Sequence, residues 1–444
     1  MANIGFISLG CAKNQVDCER MMYRVQEAGY TVQPDVVGCD AVVINTCGFI
    51  DSAKSEAIDH ILQMAQLKEQ GLVGKILVTG CLSQRYQQEI LRELPEVDGV
   101  LGTGSYTEIV PALEKILNGE QVEDFGSIDA PEVETGRILT TPEHYAFIKI
   151  AEGCDNRCAY CIIPYLRGKF RSRQMDDVLY EARLLAASGI KELIVVAQDT
   201  SRYGTDFPEH RRLLPELLRQ LCQIDGFQWI RLHYVYPDEI DDELIRVMAE
   251  EPKIVKYLDI PIQHCNSKIL KLMNRRGDGA FLRELFAKLR REIPGLVLRT
   301  SVITGLPGEG EEEFRELCEF LKEQRLERVG AFPFSSEEGT PAAQMEFVDS
   351  EIAQERAQMV ESIQSRIMDE YNESMIGKTL EVLIDGYDEE FTQFFGRTYA
   401  DSPEIDGRVW IASEESLLEG TFVKVCIDGI IDGDLSGFLV EDTL

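Results

Sequence analysis

Three cysteines in one short run constrain this chain more than any other feature. Cys154, Cys158 and Cys161 stand in Glu-Gly-Cys-Asp-Asn-Arg-Cys-Ala-Tyr-Cys, with the spacing C-x3-C-x2-C. Thiolates are the usual protein ligands of iron–sulfur clusters. With no fourth cysteine close by, three thiols suit a cube-shaped cluster in which one iron stays free to bind a small molecule. The spacing therefore predicts a cluster that takes part in a reaction; these three are called the catalytic cysteines.

Two other interpretations of this run remain open on the residues alone, a zinc site and buried structural thiols. A structural zinc ion takes four protein ligands, commonly from two closely spaced pairs. The nearest histidine is His144, ten residues upstream, and no second cysteine pair follows. A disulfide is not expected, because the chain begins without a secretory signal.

A second set of cysteines follows the strands of a predicted parallel sheet. Strand and helix signals alternate over the first hundred residues, and Cys11, Cys47 and Cys81 each come just after an apolar run, at residues 4–9, 41–44 and 75–79. The carboxyl ends of parallel strands share one edge of the sheet. We expect these auxiliary cysteines to meet there and hold a second cluster. Three unrelated core cysteines are the alternative, since free cysteine is often buried.

The predicted fold class is α/β in three parts. Residues 1–118 form the N-terminal parallel α/β sheet domain, and residues 119–139, rich in Pro, Gly and acids, form a linker. Six further strand signals with helices between them predict a partial (β/α)6 barrel over residues 140–372, with its reactive groups at the carboxyl ends of the strands. Short strands separated by turn residues predict a small C-terminal antiparallel β-barrel over residues 373–441.

Composition narrows the location and the partners. The 444 residues are 44% hydrophobic and 28% charged, which is ordinary for a globular protein. No apolar run is long enough to span a bilayer, so we expect a cytoplasmic protein without a membrane partner. The formal net charge of −33 repels nucleic-acid phosphate at long range and attracts basic partners.

Loops after other barrel strands carry further candidate residues. Gln198 ends the second strand and offers a polar group at the reactive edge, where a cofactor amino group could be held. Gly305, Pro307 and Gly308 follow the fifth strand in a loop that allows close backbone contact with a ligand. A plain strand-to-helix turn is the alternative for both. His264, after the fourth strand, is as well explained by a structural role.

One dense basic run lies just past the catalytic cysteines. It consists of Arg167, Lys169, Arg171 and Arg173. These side chains could neutralise a carboxylate or phosphate of a ligand, or could form ion pairs within this acidic protein.

The motifs together resemble those of a known family. The catalytic run, after an apolar strand and before Ile-Ile-Pro, resembles the radical S-adenosylmethionine (SAM) superfamily. Ser-Leu-Gly-Cys-Ala-Lys-Asn at Cys11, Asn-Thr-Cys-Gly at Cys47 and Thr-Gly-Cys at Cys81 make the whole chain similar to the methylthiotransferase family, whose C-terminal module is a TRAM barrel. Within that family the motifs look like those of members that modify an aspartate of a small-subunit ribosomal protein.

The resemblance implies a reaction and its cofactors. The catalytic cysteines would hold a [4Fe-4S] cluster whose open iron binds SAM, and an electron from an external donor would split SAM into methionine and a 5′-deoxyadenosyl radical. The auxiliary cysteines would hold a second [4Fe-4S] cluster that presents sulfur. One SAM would methylate this sulfur, and a second would yield the radical that removes hydrogen from the aspartate β-carbon, where a methylthio group is then attached. The loop at Gly305, Pro307 and Gly308 and the side chain of Gln198 would contact SAM.

Charge favours a protein substrate over RNA. Residues 378–444 contain four basic and sixteen acidic residues, a net charge of −12. A module that grips tRNA should be basic, because phosphate neutralisation supplies most of the affinity. We therefore expect a basic ribosomal protein as the partner. A tRNA adenosine methylthiotransferase is the alternative enzyme, and a non-catalytic iron–sulfur protein that docks on ribosomes or relays electrons is the alternative of another class.

Overall fold

The computed structural model describes residues 2–440. The two outer limits of the predicted domains, residues 1 and 441, lie outside this range. The described chain forms two parallel sheets, each covered by helices, and one closed barrel. The predicted α/β fold class is therefore confirmed.

The N-terminal domain is built on a six-stranded sheet in which every pairing is parallel, with the order β2-β1-β3-β4-β5-β6. Its strands are β1 Asn3–Ser8, β2 Thr31–Gln33, β3 Ala41–Thr46, β4 Lys75–Gly80, β5 Gly99–Leu101 and β6 Val122–Asp124, and its helices are α1 Ala12–Glu27, α2 Asp51–Glu69, α3 Cys81–Tyr86, α4 Gln88–Glu93 and α5 Ile109–Leu117. Apolar clusters cover both faces of the sheet, as a parallel sheet requires.

The central domain is an open barrel of six parallel strands, with the order β14-β13-β12-β11-β10-β7. The strands are β7 Tyr145–Lys149, β10 Glu192–Val196, β11 Trp229–Leu232, β12 Ile254–Asp259, β13 Val297–Thr304 and β14 Arg328–Pro333, and a short hairpin pairs β8 Ala151–Glu152 with β9 Arg171–Ser172. The helices are α6 Ile163–Arg167, α7 Met175–Ala187, α8 Leu214–Cys222, α9 Asp242–Glu250, α10 Ser267–Leu272, α11 Gly279–Glu292, α12 Glu311–Gln324 and α13 Ser350–Glu373. The largest apolar cluster of the protein lies between these strands and helices.

The C-terminal domain is a closed barrel of five strands, with the order β15-β16-β17-β19-β18. The strands are β15 Thr379–Asp388, β16 Gln393–Arg397, β17 Val409–Ala412, β18 Phe422–Ile431 and β19 Asp434–Leu439. Four pairings are antiparallel, as expected, but β17 and β19 are parallel. A closed ring with an odd number of strands cannot alternate direction throughout, so one parallel pair is unavoidable.

The two smaller domains contact different parts of the central barrel. The C-terminal barrel covers the amino ends of the strands, where Phe422 packs edge-on against Trp229 at 4.8 Å and Arg397 donates a 2.7 Å hydrogen bond to Glu192. Helix α1 packs against β7, and its Val16 joins an apolar cluster with Phe147. The N-terminal domain therefore lies at the barrel's open side.

Left-handed backbone geometry marks two places in the chain. Gln87 has a φ of 45° and separates α3 from α4. Tyr234 has a φ of 60° and lies just after the end of β11 at Leu232. No helix in the described range 2–440 has the length and apolar character needed to cross a lipid bilayer.

Candidate functional site: two sets of three cysteines

The auxiliary cysteines all lie at the carboxyl edge of the N-terminal sheet. Cys11 precedes α1 as its N-cap residue, Cys47 directly follows β3, and Cys81 is the first residue of α3 after β4. The three thiols are close enough to influence one another: Cys11 and Cys47 both act on the ionisation of Cys81. The structure thus brings together three side chains from distant parts of the sequence.

Glycines make room for this approach. Gly10 has a φ of 92°, and a Cβ atom placed on it would lie 2.8 Å from Cys47 Cβ. Gly80 has a φ of 97°, and a Cβ there would lie 2.5 Å from the carbonyl oxygen of Thr46. Any other residue would face a left-handed backbone and a steric clash at these two positions. The glycines therefore set how closely the three loops can approach.

A side chain of the central domain completes the auxiliary site. Arg167, at the end of α6, donates from Nε to Cys81 Sγ at 3.3 Å and from Nη2 to Asn14 Oδ1 at 2.8 Å. Its guanidinium also pairs with Asp17 and with Glu152. The same guanidinium favours the thiolate form of all three auxiliary cysteines. The auxiliary site is therefore shared between two domains.

The catalytic cysteines lie in a loop at the carboxyl end of the first barrel strand. The loop begins at Gly153, which has a φ of 78°, and the Cys154 N–H donates to the carbonyl of Gly168 at 3.1 Å. The Cys161 N–H donates to the carbonyl of Cys158 at 3.0 Å. Backbone bonds therefore fix a short loop in which the thiols lie close together, and Cys158 acts on the ionisation of both Cys154 and Cys161.

Two polar side chains approach Cys158 from neighbouring barrel loops. Its Sγ lies 2.7 Å from the Tyr236 hydroxyl and 3.7 Å from Arg275 Nη1. Arg275 also donates to the hydroxyls of Tyr236 and Tyr160, at 2.7 and 3.1 Å, and to the carbonyl of Pro261 at 2.5 Å. These contacts orient the thiol and place a positive charge beside it.

Burial opposes ionisation of several of these thiols. It raises the pKa of both Cys81 and Cys154 to about 11. Crowding by the surrounding protein also opposes ionisation of Cys11, although its side chain still reaches solvent. The cations of Lys13 and Arg167 outweigh this effect, so the pKa of Cys11 is lowered. Because a metal ligates thiolate, an iron cluster would release these protons on binding.

The chemistry of the residues present fits iron–sulfur clusters with SAM. Two sets of three free thiols lie in glycine-lined loops, each beside a buried guanidinium that can balance negative charge. Gln198 Nε2 donates to Glu152 Oε1 at 2.6 Å, whereas Gln198 Oε1 is shielded from solvent and finds no hydrogen-bond partner among the described residues. A buried acceptor without a donor suits a ligand that carries an amino group.

The other candidate residues at the carboxyl edge of the barrel mainly contact neighbouring parts of the protein. Gly305 and Gly308 have φ values of 75° and 83°, and the space beside them is filled by Ala353 of α13 and Leu272 of α10. Pro307 is buried between them. These glycines therefore fit close helix packing, and their contact with SAM stays a prediction. His264 is fully buried and accepts a hydrogen bond from the Asn266 backbone, which fits the structural alternative.

The basic run serves mainly ion pairs inside the protein. Arg167 and Arg173 are buried, and Arg173 pairs with Glu134 and Glu181 at 2.5 and 2.6 Å. Arg171 donates to backbone carbonyls, and only Lys169 is exposed. The run therefore offers no continuous basic surface beside the site. Its one contact with a candidate ligand residue is that of Arg167 with Cys81.

A buried ionic cluster joins the N-terminal domain, the linker and the barrel below the site. Lys149 Nζ lies 2.5 Å from Asp17 and 2.8 Å from both Glu132 and Glu152. These carboxylates are close enough together to hold a metal ion, but the Lys149 ammonium already supplies their positive charge. Burial by itself would raise the pKa of Glu132. The nearby cations, of which Lys149 has the largest effect, outweigh burial and hold this pKa far below its usual range.

Sequence reasoning missed several side chains at the site. Arg275, Tyr236 and Tyr234 belong to loops without a recognisable motif, and nothing in their local pattern indicates a contact with cysteine. Lys13 lies inside the Gly-Cys-Ala-Lys-Asn motif, which could have drawn attention to it. Its importance depends on where α1 points, which only the packing of the domains decides.

Family models match each part of the chain. The model of the radical SAM superfamily matches residues 148–321, that of the uncharacterized protein family UPF0004 matches residues 3–102, and that of the TRAM domain matches residues 376–440. Fold, cysteine sets and models together define a radical SAM methylthiotransferase.

Curated relatives make the assignment narrower. Ribosomal protein uS12 methylthiotransferase RimO of Lachnoclostridium phytofermentans is 48% identical over 436 residues, which cover 98% of this chain and 99% of the relative. RimO of Clostridioides difficile is 44% identical over 439 residues, 98% of each chain. The chain belongs to the RimO family of methylthiotransferases, which confirms the family predicted from the motifs. Membership implies SAM and iron–sulfur clusters as cofactors.

Solved structures support the fold alone. The radical SAM methyltransferase TsrM of Kitasatospora setae, solved with tryptophan and a SAM analogue, superposes with a TM-score of 0.56 over 75% of this chain and 73% of its own, at 14% identity. The cobalamin-dependent radical SAM enzyme OxsB gives a TM-score of 0.51 over 82% of this chain and 56% of its own, at 13% identity.

Proposed function

We propose that this protein attaches a methylthio group to the β-carbon of an aspartate in ribosomal protein uS12, the substrate in the names of its relatives. The catalytic cysteines would hold one [4Fe-4S] cluster and the auxiliary cysteines another. The observation that carries this proposal is the contact of Arg167 with Cys81, because it links an auxiliary cysteine to the helix that directly follows the catalytic loop, across a domain interface. The domain limits 1–118, 119–139, 140–372 and 373–441 are part of the same proposal.

When bound, the clusters and SAM supply the radical that removes hydrogen, together with the sulfur and methyl that are transferred. The protein's own residues prepare the place for this chemistry. Arg167 fixes Cys81, while Tyr236 and Arg275 fix Cys158. Gln198 Oε1 can accept a hydrogen bond from the SAM amino group. Exclusion of water from this region would protect a reactive radical from side reactions.

Charge supports a basic protein as the substrate. The acidic C-terminal barrel lies at the amino ends of the barrel strands, whereas both cysteine sets lie toward their carboxyl ends. The C-terminal barrel would therefore attract a part of the substrate other than the segment that reacts, or its negative electrostatic field would guide the approach of the substrate. The buried state of Arg167 and Arg173 removes the basic stripe that binding of tRNA would favour.

The test is anaerobic modification of purified uS12 and of tRNA in separate reactions. The reconstituted protein receives reductant, SAM and one substrate, and mass spectrometry follows a methylthio gain and the formation of 5′-deoxyadenosine. We expect a gain on an aspartate of uS12 and none on tRNA. Cys158→Ala should abolish SAM cleavage, because the catalytic cluster loses a ligand. Cys47→Ala should keep cleavage and lose methylthio transfer, and Cys426→Ser in the C-terminal barrel should retain both.

Three results would contradict the proposal. A methylthio gain on tRNA alone would support the proposed chemistry and would rule out uS12 as the substrate. SAM cleavage with neither substrate modified would reject both substrates. A well-folded Cys47→Ala protein that loses SAM cleavage as well would reject the division of roles between the two cysteine sets.

A further inference from the structure

Buried basic side chains of this protein are almost all paired with carboxylates. Ten lysine or arginine residues are buried within residues 2–440, and eight of them have a carboxylate oxygen within 4.0 Å. The two exceptions in the described chain are Lys13 and Arg275. A buried charge without an opposite charge is costly, so such positions call for an explanation. Both exceptions adjoin the candidate site.

The surroundings of the two cations differ. The donors of Arg275 are used by two tyrosine hydroxyls, a backbone carbonyl and Cys158. Lys13, at the second position of α1, instead places its Nζ 3.6 Å from the centroid of the Tyr234 ring. The carboxylate of Asp259 also acts on Lys13, but it lies more than 4.0 Å from Nζ and accepts a 3.0 Å hydrogen bond from Arg299. The Tyr234 side chain and the Cys11 thiol act on this ammonium more than Asp259 does, and Lys13 has no carboxylate partner within 4.0 Å among the described residues.

Tyr234 is held in an unfavourable backbone conformation beneath this ammonium. Its φ of 60° is uncommon for a bulky residue, and such strain is found preferentially at functional sites. The same short segment leads to the catalytic cysteines, because the hydroxyl of Tyr236 contacts Cys158. Lys13 itself is two residues from Cys11. Lys13 is thus two residues from an auxiliary cysteine, and it contacts a tyrosine two residues from Tyr236, which contacts a catalytic cysteine.

A substrate aspartate would bring an anion to this same place. Its carboxylate is bonded to the β-carbon that reacts, so it must enter the region between the two sets together with that carbon. A carboxylate taken out of water needs a cation or several donors to compensate for lost hydration. Among the described residues, Lys13 is a buried cation without a carboxylate partner, and the Tyr234 side chain holds its ammonium instead.

We propose that Lys13 binds the side-chain carboxylate of the substrate aspartate and thereby selects an acidic residue for modification. This inference rests on the proposed function. It makes Lys13 a specificity-determining residue that is supplied by the N-terminal domain to a reaction in the barrel. The competing interpretation is that Lys13 only balances the negative charge of a cluster bound at Cys11.

The test combines two changes, one in each partner. Affinity of SAM-loaded, reconstituted protein is measured for uS12 with its target aspartate and for uS12 with that aspartate changed to asparagine. A charge-assisted hydrogen bond predicts about 10- to 100-fold tighter binding of the aspartate form. Lys13→Met should bring the ratio near one, Lys13→Arg should restore most of it, and Lys271→Met, which removes an exposed charge at the same barrel edge, should leave it unchanged.

Iron content and SAM cleavage without substrate separate the two interpretations. We expect both to be unchanged in Lys13→Met. Loss of auxiliary iron in that variant, or retention of the wild-type preference for aspartate, would overturn the inference while the proposed function stands. If the wild-type protein modifies no uS12, the proposed function fails and the inference fails with it.

Discussion

Replacing Lys149 by methionine should loosen the attachment of the N-terminal domain to the barrel. The ammonium is buried among Asp17 of α1, Glu132 of the linker and Glu152 of β8, at 2.5, 2.8 and 2.8 Å. Methionine fills a similar volume but carries no charge. The variant therefore leaves three buried carboxylates crowded together with less compensation.

The size of the effect follows from the cations that remain. Removing one partner of a buried ion pair costs about 3–5 kcal/mol. Arg20 still pairs with Glu132, and Arg167 still pairs with Asp17 and Glu152, so each carboxylate keeps one guanidinium. We therefore expect a loss near the middle of that range, about 4 kcal/mol, which corresponds to about a thousandfold change in the equilibrium constant.

Urea unfolding of the apoprotein, followed by circular dichroism, measures this loss, and proteolysis within residues 119–139 reports separation of the domains. The matched control is Lys288→Met, because Lys288 pairs with Asp242 at the surface and exposed pairs contribute only about 0–1 kcal/mol. The double variant Lys149→Met with Glu132→Gln should recover a large part of the stability, since it removes one uncompensated charge.

The pH dependence of stability independently tests whether the loss in the Lys149→Met variant comes from uncompensated carboxylates. Without the ammonium, the folded protein binds a proton among the crowded carboxylates at a higher pH than the unfolded chain does. Stability of the variant should then rise relative to the wild type as the pH falls from about 8 to about 5. A loss of stability below about 1 kcal/mol, or a deficit that does not narrow at pH 5, would show that the charge of Lys149 does not stabilise the interface.

Two further predictions concern the auxiliary site and acid stability. Gly10→Ala should lose about half of the reconstituted iron, measured by metal analysis, because its methyl group would displace Cys47. Gly29→Ala is the control, since its φ of 91° carries the same backbone strain with nothing within 4 Å; equal iron loss in both variants would contradict the steric explanation. Burial alone would raise the pKa of Glu181, but Arg173, Arg137 and Arg20 lower it to about 2. Because this folded-state pKa lies below the unfolded value of about 4.3, its contribution to stability is present above that value and is lost as the pH falls toward 2. Urea midpoints measured from pH 6 to pH 2.5 should decline below about pH 4.5, and a flat profile would be inconsistent with these ion pairs.

Local patterns predicted the parts of the fold that depend on near neighbours in the sequence. Strand positions in the sheets were found from apolar runs, because a buried parallel strand must be apolar on both faces. The convergence of the auxiliary cysteines also followed from topology, since the ends of parallel strands share an edge. The short strands β5 and β6, only three residues each, gave too little periodicity to be recognised.

The thiol spacing, the alternation of strands and helices and the excess of acidic residues can all be read from the linear sequence. Each of these is a property of neighbouring residues or of composition. The packing of the domains, in contrast, places Arg167 against Cys81, 86 positions away, and pairs the nearby Arg173 with acids instead. It also decided that Lys13 meets Tyr234 rather than a carboxylate. Such contacts join separate domains through polar side chains that follow no periodic pattern, so their partners are fixed only when the domains pack.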